Sequence, residues 1–436
     1  MSTTEWIVNG NRNNPGAAGR AMDFLRARIR TYGTALLLAA NVFTLLASYY
    51  VLKTVREALI LSEVGAAVKS YSSAGQALML LGLIPAYGFV ASRLRRSSLI
   101  RWVTLFFVSH LAIFYVLGTA GFKVGIAFFL WVGIFNVLVI AQFWAFANDV
   151  NDAGSGERMF PIIGIGSALG AWFGARAAAR LFETMTPYQL MLLAGGGLLL
   201  SLVISRLVEK RSQSRQSEPI SGKGGFRLVL SSRVLLLIAT MVLLFNMVNS
   251  LGEFMLGRIV VDDMKAAVAA GTLDASQVKS AIGAFYGDFF GWVNLIGLLL
   301  QVFIVSSLFK YIGARGALFV LPLIALGSYG LMAAFPVLGI VRAMKTLENS
   351  ADYSIQNTAR HALFLPMSRE AKYKAKAAID TFFWRLGDLA QAAVVLIGTQ
   401  LALTTPQYAW VNIALISIWL LVVAGIYREH GKLAQP

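Results

Sequence analysis

Apolar residues gather along this chain into runs of about 20, separated by short polar breaks, the spacing of helices long enough to cross a hydrocarbon core of about 30 Å. Twelve spans are predicted, at 33–54, 73–92, 99–119, 124–147, 159–180, 188–207, 230–256, 284–308, 314–335, 337–358, 378–400 and 407–427. Between the sixth and seventh, Glu209 to Arg227 is basic, rich in Ser and Gly, and without apolar periodicity, so it reads as a linker. The predicted division is a tail (1–31), a first six-helix bundle (32–207), a linker (208–229), a second six-helix bundle (230–427) and a short tail (428–436). The expected fold is therefore all-α and membrane-embedded.

Two smaller patterns refine this picture. Gly166, Gly170 and Gly174 fall at i, i+4 and i+8, the spacing that lets two membrane helices approach closely, and the frame does not fit a dinucleotide loop. Asp262 to Ser280 is amphipathic and too polar to cross, so an external surface helix or a pair of short helices is expected there.

Composition agrees with membrane burial. The chain is 57% hydrophobic and 14% charged with mean hydropathy +0.68, whereas a soluble domain carries about 25% charged residues. Cysteine is absent, so neither a disulfide nor a thiolate nucleophile is available. His110, His361 and His430 are far apart and form no metal or hydrolase pattern, and the Ser221 to Phe226 run lacks the frame of a phosphate loop. An enzyme, an ATP-driven motor and a bound cofactor are all disfavoured.

The net charge of +17 raises the question of nucleic acid, and the placement of the charge answers it. Most Lys and Arg lie in the N-terminal tail, the central linker and the loops of the same side. That is a positive-inside bias, which places both termini in the cytoplasm and makes nucleic acid an unneeded partner. The first 30 residues have no apolar core of a signal peptide, so the first span is expected to remain in place.

The candidate chemistry lies inside the spans. Lys345, Asn349, Asp352 and Gln356 recur at helical spacing on span ten, with Arg342 one turn earlier and Glu348 beside them. Arg385 and Asp388 sit on span eleven, Tyr49, Lys53, Arg56 and Glu57 on span one, and Asn246, Asn249 and Glu253 on span seven. An ionisable group at the bilayer centre costs about 2.5 to 3.5 kcal/mol, so it persists where it is paired or lines a wet cavity. The cations Lys53, Arg56, Arg342, Lys345 and Arg385 balance the acids Glu57, Glu253, Glu348, Asp352 and Asp388.

Six spans plus six is also the layout of major facilitator transporters, whose substrate site lies between the halves. In YYVLKTVREALIL (Tyr49 to Leu61), FWAFANDVNDAGSGERMFPIIGIGSALG (Phe143 to Gly170) and above all DYSIQNTARHALFLPMSREAKYKAKAAIDTFFWRLGD (Asp352 to Asp388), the sequence resembles the ATP/ADP nucleotide translocases of plastids and obligate intracellular bacteria, a branch related to the major facilitators. The resemblance implies exchange of nucleotides across a membrane without hydrolysis, and the expected protein is a monomeric secondary transporter working by alternating access in a bacterial-type inner membrane. In that frame Lys53, Arg56, Arg342, Lys345 and Arg385 face phosphates, and Tyr353 or Tyr49 stacks on the base. Asn249, Asn349 and Gln356 line the site, while Glu57, Glu253, Glu348, Asp352 and Asp388 hold, gate or protonate. The exchangers carry a Lys and an acid late in span one, matched here by Arg56 and Glu57, and a Lys before the Tyr-Ser of span ten, where this chain has Asp352. The alternative is a proton-coupled transporter of another small anionic or zwitterionic solute, with Asp352, Glu348 or Asp388 as proton carrier.

Overall fold

The computed structural model describes the backbone of residues 17–150, 153–211, 225–368 and 370–433. The expectations for residues 1–16, most of the linker and the last three residues fall outside the described residues. Helices follow one another almost without interruption: α1 (Ala17–Glu63), α2 (Gly65–Ala91), α3 (Arg96–Thr119), α4 (Gly125–Val150), α5 (Ala153–Leu181) and α6 (Pro187–Arg211). After the linker and a short turn of helix at Gly225–Ser231 come α7 (Arg233–Ala269), α8 (Ala275–Ala317), α9 (Val320–Ala334), α10 (338–362), α11 (371–400) and α12 (Thr405–Leu433).

Among the described residues nine helices are long and apolar enough to cross a membrane, and α9 is a shorter apolar one. The helices α10 and α11 are not among these nine; they carry Arg342, Lys345, Glu348 and Asp352 on the first and Arg385 and Asp388 on the second. The protein is a multi-pass integral membrane protein, with Leu, Phe and Val on the outside of most rods, as at Phe106, Leu200 and Leu421.

Helix α1 is the axis of the first set, packed against α5 and α6, while α7 plays that part in the second set against α11 and α12. The two sets meet where α2 crosses α11 and α7, and where α8 crosses α1 and α5. The glycine stripe explains one of these contacts. A Cβ on Gly166, Gly170 or Gly174 would lie 2.5, 2.4 or 2.2 Å from the carbonyl oxygens of Ala39, Phe43 and Ala47, so only hydrogen at those positions lets α5 lie against the backbone of α1.

The expected surface helix after span seven is corrected by the structure. No proline interrupts the sequence between Arg233 and Ala269, so α7 runs on for 37 residues, about 55 Å at the α-helical rise. It stops at Gly271, whose φ of +69° reverses the chain without the strain a side chain would bring. Ala275–Gln277 is then a single tight turn capped by Asp274, which accepts from Ser276 N–H, and it leads straight into α8.

Among the described residues, the ion pairs joining the two sets lie away from the termini. Lys279 of α8 reaches Glu63 at 3.1 Å and the Tyr188 hydroxyl at 3.2 Å. Asp288 of α8 accepts from both Arg176 of α5 and Arg342 of α10.

Candidate functional site

Between the two sets lies a polar cavity of about 210 Å³, lined from both sets. Helix α1 supplies its charged wall because Lys53, Arg56 and Glu57 fall within one and a half turns near its end. Glu57, 1% exposed, is held twice: one oxygen accepts from Arg56 Nε at 3.0 Å and the other meets Lys69 Nζ of α2 at 2.6 Å. The Arg56 guanidinium also lies over the Phe129 ring, 4.8 Å from its centroid. One carboxylate therefore faces two cations.

Lys53 is differently placed. Its ammonium donates to the Tyr353 hydroxyl at 3.3 Å and sits 4.1 Å from the centroid of Phe290. It makes no ion pair with a carboxylate among the described residues.

The second set closes the opposite wall. Arg385 Nη1 donates to Asp388 at 3.1 Å, and Asn246 donates to the other oxygen of Asp388 at 2.8 Å. Asn349 donates to Glu253 at 2.9 Å, and Gln391 donates to Ser70 of α2 at 3.1 Å, tying the two sets together at the cavity edge. Tyr353, 42% exposed, presents its ring to the cavity. The lining cations are Lys53, Arg56, Lys69 and Arg385, and the lining acids are Glu57, Glu253 and Asp388. The walls thus carry one more positive than negative charge, and Lys53 is the cation left over.

Several residues expected to face a ligand are placed elsewhere. Lys345 is 0% exposed, enclosed by Asn249 Oδ1 at 2.9 Å, Glu348 at 3.1 Å and Glu253 at 3.8 Å. Glu348 is itself buried and accepts from the Tyr329 hydroxyl at 3.1 Å. Arg342 belongs to the Asp288 cluster, Tyr49 stacks on Phe135 inside the first set, and Gln356 is buried against the Met241 thioether.

On α10 the reason for Gln356 is a change of helical pitch, whereas Arg342 and Lys345 lie before that change and are taken up by Asp288 and by Glu348 with Glu253. A π-helical turn at Asp352–Gln356 inserts into the stripe that begins at Lys345. Residues beyond it are rotated from the face that α-helical spacing predicts, which takes Gln356 inward and leaves Tyr353 on the cavity. Asp352 is half-buried, and its carboxylate makes no hydrogen bond or ion pair among the described residues.

Sequence reasoning missed Lys69, which reads as a charge at a helix end beside a loop. A signal was present, since Lys69, Ser73 and Gln76 recur at i, i+4 and i+7 on an apolar helix and all three line the cavity. Asp288 was missed because it lies alone in an aromatic run, with no second charge on its own helix face.

Residues 276–430 match the family model described as TLC ATP/ADP transporter. The chain is 21% identical over 345 residues to ADP,ATP carrier protein 1 of Chlamydia pneumoniae, covering 65% of this chain and 63% of that one. It is 22% identical to ADP,ATP carrier protein 2 of Chlamydia trachomatis serovar D, covering 88% and 86% respectively. The chain thus spans somewhat less than two thirds of the length of the first of these relatives. Among solved structures, a bacterial homologue of the iron transporter ferroportin in its inward-facing state superposes with a TM-score of 0.65 at 15% identity, covering 91% of this chain and 99% of that one. The fold is major facilitator-like.

Proposed function

We propose that this chain, whose second half carries the TLC ATP/ADP transporter match on a major facilitator-like fold, is a secondary transporter that exchanges nucleotides across a membrane by alternating access. The observation that carries this reading is Lys53, a cation without a carboxylate partner, on a cavity wall with one positive charge to spare. A nucleotide phosphate supplies the missing partner, and a charge-assisted hydrogen bond in a desolvated site is about twice as strong as a neutral one. Arg56, Lys69 and Arg385 flank it, each already oriented by an acid. The exposed ring of Tyr353 offers a stacking surface, and Phe290 lies beside Lys53.

The alternating step belongs to the two helix sets, here joined by ion pairs away from the termini. Following the positive-inside pattern, that side is external, both termini are cytoplasmic, and the membrane is of the bacterial inner type. The charged helices α10 and α11 are then the remaining spans. The expected unit is a monomer, and it neither hydrolyses its substrate nor engages nucleic acid.

A second reading has one specific observation in its favour. Asp352 is an unpartnered carboxylate on a π-helical turn within an intramembrane segment, where the resemblance leads one to expect Lys. That arrangement suits a proton carrier for a different solute. Exchange requires a counter-substrate inside the vesicle, whereas a proton-coupled carrier requires a pH gradient, so uptake into vesicles loaded with ADP, without a gradient, separates the two.

A further inference from the structure

Away from the inter-set cavity, the end of the first set near the termini holds a second opening of about 330 Å³ between α3, α4 and α6. Its rim carries Arg101, Arg206 and Lys210, opposed by Glu209, and none of the four forms an ion pair among the described residues. The first turn of α3 enters it through Ser97 and Ser98, and no side chain caps that helix end, so its N–H groups are open to an acceptor.

The opening continues inward into a narrow, mostly apolar recess that holds a few polar side chains, the two sharing Ile100, Phe146, Leu202 and Ser205. Gln142 lines that recess at 6% exposure, and its amide nitrogen has no partner. A buried, unsatisfied N–H₂ group costs on the order of 1 to 3 kcal/mol unless an acceptor arrives. Beside it, Asn41 of α1 accepts from Ser201 and donates to Ser205 of α6, so the recess is built on a fixed hydrogen-bonded floor.

One turn from the basic rim, the outer faces of the same helices are apolar. Trp102 and Phe106 of α3 are 61% and 55% exposed, and Leu207 of α6 is also exposed. A ligand at this place meets cations, hydroxyls and open N–H groups at one end and lipid-facing apolar rods at the other.

We propose that this opening binds the phosphate headgroup of an anionic phospholipid, with its acyl chains laid along α3 and α6. Basic recesses between membrane helices on the cytoplasmic side suit such headgroups, and an interfacial Trp suits the headgroup level. Free phosphate shares the headgroup chemistry but makes no use of the exposed apolar stripe. The site is independent of the transported solute.

The test uses the purified full-length chain and the Arg206→Gln/Lys210→Gln variant in detergent, with phosphatidylglycerol, phosphatidylcholine or inorganic phosphate added, read by native mass spectrometry. Phosphatidylglycerol should bind the wild type and bind the variant on the order of 30-fold more weakly, about fivefold for each charge removed. Phosphatidylcholine should not distinguish the two proteins, and millimolar phosphate should not displace the bound lipid. Equal phosphatidylglycerol binding by wild type and variant overturns the site, and displacement by phosphate overturns the lipid in favour of a free anion. Should the variant fail to fold, a photoactivatable phosphatidylglycerol on the wild type decides: cross-links on α3 and α6 near Trp102 support the site, and cross-links confined elsewhere overturn it.

Discussion

Lys53 on α1 and Tyr353 on α10 stand 300 residues apart in the chain and meet across the cavity at 3.3 Å. The pair joins the two helix sets through a neutral acceptor, and among the described residues no carboxylate lies within ion-pair distance of the ammonium. A substrate phosphate can take that position without first breaking an ion pair.

Replacement of Lys53 by Gln should therefore reduce nucleotide uptake about 10- to 100-fold, the loss of a charged hydrogen bond worth roughly 1.5 to 3 kcal/mol. Thermal unfolding should change little, because no acid is left unpaired. Parallel uptake and melting measurements on the same preparation check both halves of this expectation.

Lys345 should behave in the opposite way. Lys345→Ala leaves Glu348 and Glu253 facing each other without their cation, and breaking a buried pair costs about 3 to 5 kcal/mol. The expected result is a lower melting temperature and poor recovery from the membrane, with the Lys345→Ala and Glu348→Gln double change less damaging than the single one. A Lys345→Ala protein as stable as the wild type contradicts the enclosed arrangement.

Close approach of α5 to α1 makes a second structural prediction. Gly170→Ala should destabilise, since its Cβ would lie 2.4 Å from the Phe43 carbonyl oxygen and overpacking typically costs about 1 to 3 kcal/mol. Gly164→Ala, with nothing within 4 Å of the added carbon, should be neutral or slightly stabilising. Melting curves of the two variants side by side give the comparison.

Asp288 holds Arg176 of one set and Arg342 of the other. Asp288→Asn should weaken that clasp and favour opening on the side away from the termini. Because the chain has no cysteine, Ser73→Cys provides a lone probe in the cavity. Its alkylation by a membrane-impermeant reagent from that side should rise severalfold in the Asp288→Asn background, and an unchanged rate would refute the clasp.

These residues also mark what the sequence carried and what it did not. Hydropathy placed the apolar rods because burial in lipid acts on every residue of a span at once. The glycine stripe announced its packing role because small size at i, i+4 and i+8 has few other uses in a membrane. Lys53, Arg56, Glu57, Glu253, Asn349, Tyr353, Arg385 and Asp388 do gather around or directly at one cavity. Lys345 and Gln356 do not, since a helical face seen in sequence says nothing about which neighbour it meets, and the π-helical turn at Asp352–Gln356 shifts the face itself. Lys69 and Asp288 became visible only through partners on other helices, Glu57 for the first and Arg176 with Arg342 for the second.

The most direct test of nucleotide exchange is uptake of labelled ATP into proteoliposomes loaded with ADP, with empty vesicles and Lys53→Gln protein as controls. The account predicts rapid uptake that requires internal ADP, needs no pH gradient and falls by one to two orders of magnitude in the variant. Uptake absent with internal ADP, or present only under an imposed pH gradient and lost in Asp352→Asn, would contradict it.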